Sequence, residues 1–181
     1  MKLFDTHTHL NSKPFINDID KVVKRCLDNG VKKMIVVGFD IESSLQAIDL
    51  SYQFPNIIYA AVGIHPTECQ NTTAADLDRL ALMLDEPGVV ALGEIGLDYH
   101  WKTVAPAQQK EIFIKQIALA KQKNKPIIIH NREATKDTYD ILSKNDISKI
   151  GGIMHSYSSS VEMALEFIKL NMYLSISGVI T

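Results

Sequence analysis

The stretch PAQQKEIFIKQIALAKQKNKPIIIH, residues 106–130, contains the unit from which the fold can be predicted. Its first part, residues 106–123, places apolar side chains at intervals of three and four residues, which is typical of a helix with one buried face. A short apolar run follows at residues 126–130 and indicates a buried strand that ends in His130. The stretch therefore predicts a helix followed by a strand.

The same alternation occurs along the whole chain, with strand-like runs about 20–35 residues apart. We expect seven strands, at residues 3–9, 33–38, 57–63, 89–94, 126–130, 152–155 and 173–177. Helical periodicity lies between them, at residues 19–29, 41–54, 74–85, 106–123, 134–144 and 160–170. Apolar strands separated by helices form parallel sheets that helices cover. The pattern allows either a doubly wound open sheet or a barrel.

The composition is that of one globular domain. The 181 residues are 46% hydrophobic and 22% charged, which is enough chain for one sizeable core. A formal net charge of −2 gives no bulk attraction to nucleic acid or to a membrane, so a polyanion would need a local binding patch. Cys26 and Cys69 suggest neither a disulfide framework nor a thiolate metal site. We expect a single domain over residues 1–181 that is cytoplasmic, monomeric and not associated with a membrane.

Four of the six histidines close apolar runs: His7 and His9 the first, His130 the fifth and His155 the sixth. Side chains at positions i and i+2 of a strand share one face, so His7 and His9 can reach the same cation. Another run ends in Glu94, whose carboxylate must be paired or coordinated if it is buried. Imidazoles with a carboxylate suit Zn, Mn, Ni or Fe, whereas Mg prefers more carboxylate and water. These residues predict a metal site.

The distribution of these candidate ligands favours a barrel over an open sheet. In an open sheet the ligand-bearing strand ends meet at one switch point, whereas in a barrel the carboxyl ends of all strands surround one pocket. Four of the seven runs end in a candidate ligand. A closed (β/α)8 barrel has eight strands and typically about 250 residues. We therefore expect an α/β fold of the TIM-barrel type with about seven strands present and the eighth missing.

Six short motifs carry these residues. In chain order they are FDTHTHLN (4–11), GIHP (63–66), GEIGLDY (93–99), IHNREA (129–134), HSYS (155–158) and SISG (175–178). Each motif alone is weak, but together and in this order they resemble the TatD family of metal-dependent deoxyribonucleases. The resemblance covers the whole chain and implies a TIM barrel of the metal-dependent hydrolase type.

The resemblance also implies two divalent metal ions, of Mg, Mn or Zn. It places His7 and His9 on one ion, Glu94 between the two ions, and His130 and His155 on the other. The implied reaction is hydrolysis of phosphodiester bonds in DNA, as a 3′ to 5′ exonuclease that favours single-stranded ends. A two-metal site suits this reaction, because it lowers the pKa of a water and clamps the attacking and leaving oxygens.

Further residues are expected to contact the substrate. The resemblance places His65 near the substrate, as a phosphate or leaving-group contact. Arg132 has a planar fork of donors and precedes a predicted helix, which suits phosphate, although an ion pair with a neighbouring acid is the alternative. Asp98 and Tyr99 follow Glu94 and either position ligands or stack on a base. We expect Glu94, His65 and Arg132 to act in catalysis.

The next residues of that loop, His100 and Trp101, have two interpretations. An exposed aromatic side chain there would stack on a nucleobase, whereas a buried one would pack against the following helix. The residues alone do not separate these two alternatives.

The family pattern continues beyond SGVIT, residues 177–181, into a helix and an eighth strand with a Glu-Thr-Asp motif. The resemblance makes its Asp a metal ligand and the general base. We therefore expect a C-terminally incomplete domain with five of six ligands and impaired activity. Two alternatives remain. One is an amidohydrolase or aminoacyl-tRNA ester hydrolase, although amidohydrolases commonly use a carboxylated lysine where Glu94 stands. The other is a product that is not an enzyme.

Overall fold

The structure, a computed structural model, describes residues 1–178. Within them, seven parallel strands form one sheet whose spatial order follows the chain order. The strands are β1 (Leu3–Thr8), β2 (Val31–Val37), β3 (Ile58–Val62), β4 (Val89–Asp98), β5 (Ile127–Arg132), β6 (Gly152–Met154) and β7 (Met172–Leu174). The sheet curls into a half-barrel of the TIM-barrel type. The predicted fold class is confirmed.

A helix follows each of the first six strands, and a turn of 3₁₀ helix, Cys69–Asn71, precedes the third. The helices are α1 (Ile19–Asp28), α2 (Ile41–Gln53), α3 (Ala74–Met83), α4 (Pro106–Lys123), α5 (Thr135–Lys144) and α6 (Val161–Lys169). Local sequence sets several of their ends. Side chains of Asp40 and Thr73 cap α2 and α3 in reciprocal capping boxes, and Pro106 begins α4. None of the described helices is long and apolar enough to cross a membrane.

The strands bury apolar side chains on both faces of the sheet. On β2, Met34 and Val36 pack in the large core that includes the helices, whereas Ile35 belongs to a second cluster with Ile128 of β5. His130 comes two residues after Ile128, so its side chain lies on the same face as this second cluster. The candidate site is therefore on the inner face of the half-barrel, towards the carboxyl ends of the strands.

Two strands extend further than predicted. β4 continues past Glu94 to Asp98 and β5 continues past His130 to Arg132, because the two strands stay paired over this length. Gly96 permits the pairing: its φ is +141°, and a Cβ there would lie 2.0 Å from the carbonyl oxygen of His130. Glu94 is thus inside a strand, and Arg132 ends a strand two residues before the cap of α5.

The other predicted strands and helices match within a few residues, apart from β7, which ends at Leu174 where the prediction reached residue 177. Within residues 1–178, β1 and β7 each pair with one neighbour. Phe4 and Ile128 help to line an apolar groove of about 370 Å3 on the inner face between these edges. The last three residues of the SGVIT segment, 179–181, lie outside the described residues.

Candidate metal centre

The first group of candidate ligands contains His7 of β1, His9 just after it, and Glu94 of β4. His7 Nε2 lies 3.2 Å from His9 Nε2 and 3.3 Å from Glu94 Oε2, and His9 Nε2 lies 3.8 Å from that oxygen. Metal bonds of about 2.1 Å place neighbouring ligand atoms about 3.0–3.5 Å apart. The group therefore has close to the dimensions of a site for one divalent ion.

A second group shares the same carboxylate. Glu94 Oε1 lies 3.0 Å from His130 Nδ1, and the rings of His65 and His130 meet edge to face with their centroids 4.3 Å apart. One ligand atom of each of the three side chains lies within 4.8 Å of the others. Glu94 thus faces the first group with Oε2 and the second with Oε1. This is the arrangement of a carboxylate that can bridge two cations.

The histidines are grouped differently from the arrangement that the resemblance implied. His155 stacks on His7, with centroids 3.4 Å apart and ring planes 15° apart, beside the first group. His65 lies with His130 and Glu94, and the contact with the substrate that the resemblance implies for it stays a prediction. Carboxylates contact both ring nitrogens of His130, and the ring of His130 lies against that of His65.

Asp98, at the end of β4, is the second of these carboxylates and is buried. Its Oδ2 accepts a hydrogen bond from His130 Nε2 at 2.8 Å, and its Oδ1 accepts the backbone N–H groups of His100 and Trp101 at 3.0 and 2.9 Å. A proton on Nε2 leaves the Nδ1 lone pair of His130 free for a cation. Of the two roles predicted for Asp98, this geometry favours the positioning of a ligand.

The electrostatics of the site favour the forms that bind cations. Burial opposes ionisation of Glu94, but hydrogen bonds with His130 and His7 outweigh it and hold the pKa of the carboxyl well below its ordinary value. Burial, with the positive charge of neighbouring histidines, lowers the pKa of His65 and of His155 to about 4. At neutral pH Glu94 is therefore a carboxylate, and His65 and His155 are neutral imidazoles.

The pKa of His130 shifts in the opposite direction. Burial lowers its pKa, but hydrogen bonds to Glu94 and Asp98 outweigh burial and raise it. In the absence of a cation, a proton on Nδ1 takes the position beside Glu94. A divalent ion would replace that proton.

The donor atoms of the site give a second indication that it fits cations. The first group offers the Nε2 atoms of His7 and His9 and a carboxylate oxygen of Glu94, and the second group offers imidazole nitrogens and the other oxygen of Glu94. Imidazoles with a carboxylate are the ligands that Zn, Mn and Fe prefer. The residues present therefore fit divalent metal ions.

Comparison with known proteins agrees with this chemistry. The family model described as TatD related DNase matches residues 4–181. The chain belongs to the TatD family. YabD of Bacillus subtilis (strain 168), described as an uncharacterized metal-dependent hydrolase, is 44% identical over 99% of this chain and 70% of its own length. The TatD protein of Edwardsiella piscicida, described as a 3'-5' ssDNA/RNA exonuclease, is 33% identical over 97% of this chain and 68% of its own length.

A solved structure supports the same assignment. The crystal structure of YJJV, a TatD homolog from Escherichia coli K12, superposes with a TM-score of 0.89 at 29% identity, over 95% of this chain and 66% of that one. The chain thus spans about two thirds of the length of these TatD-family proteins. Membership of the TatD family, predicted from the six motifs, is confirmed, and the chain is a metal-dependent hydrolase by family.

Two residues predicted at the substrate side of this TatD-family site lie at its rim. Arg132 is exposed, and its Cζ lies 5.5 Å from the centre of the Trp101 ring. Among the described residues, Glu133 and Asp137 make their ion pairs with side chains other than Arg132. The guanidinium therefore remains open to a phosphate. The hydroxyl of Tyr99 donates to Asp137 at 2.7 Å and is directed at α5.

Two buried glutamines of α4 were not recognised as part of the site. Gln109 bonds the backbone N–H and C=O of Asp98, both at 2.8 Å, and Gln116 bonds the N–H and C=O of Ile64 at 2.8 and 3.0 Å. They hold the backbone at Asp98 and next to His65. The signal in the sequence was a pair of amides seven positions apart on the buried face of a helix.

Acid is expected to destabilise the metal-free protein between pH 7 and pH 5. His65 and His155 have pKa values of about 4, whereas their ordinary value is 6.5. The unfolded chain takes up these protons first, so stability falls as the pH drops below 6.5. His9, whose pKa is also lowered, adds to this loss, whereas His130, whose pKa is raised, opposes it. The melting temperature in EDTA, measured at each pH, tests this expectation.

The double variant His65→Asn/His155→Asn is the matched comparison. Its melting temperature should depend less on pH over the same range, because two of the groups that gain protons on unfolding are gone. A wild-type melting temperature that rises from pH 7 to pH 5 would contradict the expectation.

Proposed function

We propose that this chain carries the two-metal centre of a phosphodiesterase that removes nucleotides from the 3′ end of DNA, with a preference for single strands. The observation that supports this proposal is the orientation of the Glu94 carboxylate: its Oε2 faces His7 and His9, and its Oε1 faces His130. A carboxylate placed in this way would be able to hold two cations close together, and phosphoryl transfer at a two-metal centre requires such a pair.

Different residues of the chain would bind the metal ions and the substrate. Two divalent ions, of Mg, Mn or Zn, would when bound supply an activated water and neutralise charge on the scissile phosphate. His7 and His9 would hold an ion on one side of Glu94, and His130 would hold an ion on the other side. His65, neutral because its pKa is about 4, is able to contact the phosphate or the leaving group as well as a cation. Arg132 offers a fork of donors to a phosphate oxygen at the rim.

The substrate class has support from relatives. The TatD protein of Edwardsiella piscicida is described as acting on single-stranded DNA and RNA from the 3' end, and this chain is 33% identical to it. The DNase wording of the family model points to the same class of bond. Since the chain spans about two thirds of such relatives, we propose this activity for the site and test it on the chain directly.

The decisive experiment uses the 181-residue chain in excess over substrate, so that weak activity is visible in a single turnover. Metal is removed with EDTA, Mg, Mn or Zn is restored, and 5′-labelled single-stranded DNA, duplex DNA, RNA and an aminoacyl ester are compared. We expect stepwise shortening of the single strand from its 3′ end, only with metal, and none with His7→Asn. Metal binding without any phosphodiester cleavage, or cleavage of the ester alone, would overturn the proposal.

A further inference from the structure

The loop after β4 contains an aromatic side chain that the proposed function does not use. Trp101 is the single tryptophan of the chain, and its side chain is 54% exposed. Its backbone N–H donates to Oδ1 of Asp98 at 2.9 Å, while Oδ2 of the same carboxylate accepts from His130. One buried carboxylate therefore bonds both the backbone of Trp101 and a candidate metal ligand.

Two side chains contact the indole, and one of them, Arg132, lies over a face of the ring. Arg132 lies with Cζ 5.5 Å from the ring centre, and the ring of His100 meets the indole edge to face at 4.9 Å. His100 is in turn held by Glu133, with Nδ1 2.8 Å from Oε1. A large apolar ring that is fixed by its neighbours and still half exposed suits contact with a ligand better than packing in the core.

The space beside the ring has the size of a ligand site. Trp101 forms part of a cleft of about 440 Å3, together with Tyr99 and Lys102. Clefts of about 300–1,000 Å3 commonly accommodate small molecules or parts of larger ones. In this cleft the Trp101 ring offers an aromatic surface on which a nucleobase can stack, and Lys102 offers a positive charge for a phosphate.

We propose that Trp101 and Arg132 form a stacking platform for one unpaired nucleobase of the nucleic-acid substrate, next to the candidate metal centre. The proposal rests on the proposed function, whose substrate class it refines. Stacking on an aromatic ring accepts any base, because every base has a π face. A base inside a duplex already has neighbours on both faces. The platform therefore selects single-stranded ends without reading sequence, and the Arg132 donors remain free for the adjacent phosphate.

Intrinsic fluorescence tests the platform directly, because Trp101 is the sole tryptophan. The wild-type chain is titrated in EDTA, where nothing is cleaved, with a single-stranded oligothymidylate and with an abasic strand of equal length and phosphate number. We expect saturable quenching by the oligothymidylate and little change with the abasic strand. Equal responses to both strands would overturn the proposal, because they would show binding through phosphates alone.

Substitution gives an independent measurement. Trp101→Ala should weaken binding of a dye-labelled oligothymidylate by about 5- to 150-fold, and Trp101→Phe should retain most of the affinity. Tyr52→Ala is the matched control, because Tyr52 is equally exposed, at 54%, and lies on α2. Where the chain is active, Trp101→Ala should raise KM for single-stranded DNA by a larger factor than KM for a small phosphodiester without a base.

The outcomes separate the two proposals. DNA cleavage with unchanged affinity in Trp101→Ala would overturn the platform and leave the proposed function standing. Saturable quenching without any cleavage would support the platform and count against the nuclease activity. Loss of affinity in both the alanine and the phenylalanine variants, with unchanged melting temperatures, would also count against stacking, since phenylalanine keeps a π face.

Discussion

Glu94→Gln is expected to abolish high-affinity metal binding in both ligand groups at once. The substitution keeps the size of the side chain and removes the one negative charge that both groups share. Outer partners of metal ligands typically contribute about 10–100-fold in affinity, so loss of a ligand common to two ions should exceed that range for each. Calorimetric titration of the EDTA-treated chain with Mn or Zn measures both affinities.

Glu111→Gln is the control for this substitution. It makes the same chemical change on the exposed face of α4, where Glu111 pairs with Lys115. Its metal affinities should equal those of the wild type. If Glu94→Gln still bound two ions with unchanged affinity, the bridging role of Glu94 would be wrong. Hydrolysis of DNA, where it is detected, should disappear together with the metal in the Glu94 variant.

Asp98→Asn is expected to weaken the second ion selectively. The asparagine oxygen is able to keep the backbone N–H bonds of His100 and Trp101, and its amide nitrogen then faces His130 Nε2. An amide N–H directed at Nε2 favours the tautomer of His130 with its proton on Nδ1, so the lone pair that would meet the cation is lost. We expect a loss of about 10–100-fold for one of two ions and little change for the other.

Two measurements check the Asp98 expectation. Calorimetry should show one tight site and one weak site, and nitrogen chemical shifts of the imidazole should show the change of tautomer at His130. Asp137→Asn is the comparison, because Asp137 is an acid of α5 that bonds Tyr99 and Lys110 outside the ligand groups. An equal loss at both sites would mean that Asp98 supports the structure of the whole site instead of one ligand.

The alternation of strands and helices was predictable because each element has its own periodicity and clear ends. The prediction stopped β4 at Glu94, since a charged residue followed by Gly96 reads as the end of an apolar run. In the structure the strand continues, because the hydrogen bonds of the β4–β5 ladder extend to Asp98 and Arg132. Local sequence contains no information about how long two distant strands remain paired.

The residues that form the candidate site were more predictable from the sequence than the contacts among them. The HxH pair and Glu94 follow from side-chain alternation on strands, and the structure brings them together. The contact between Asp98 and His130 depends on strand register, and the grouping of His65 with His130 depends on ring orientation. The spacing of residues along the chain predicts neither the strand register nor the ring orientation. The assignment of each histidine to an ion therefore stays a prediction.

The consecutive order of the strands has a consequence for how the chain acquires its site. Each strand pairs with the one synthesised before it, so the sheet is able to grow from β1 onwards as the chain emerges from the ribosome. The candidate ligands lie on or just after β1, β4 and β5, with His65 following β3 and His155 following β6. A cation held by them would bind after most of the sheet has assembled, and it would stabilise completed chains over partly folded ones by mass action.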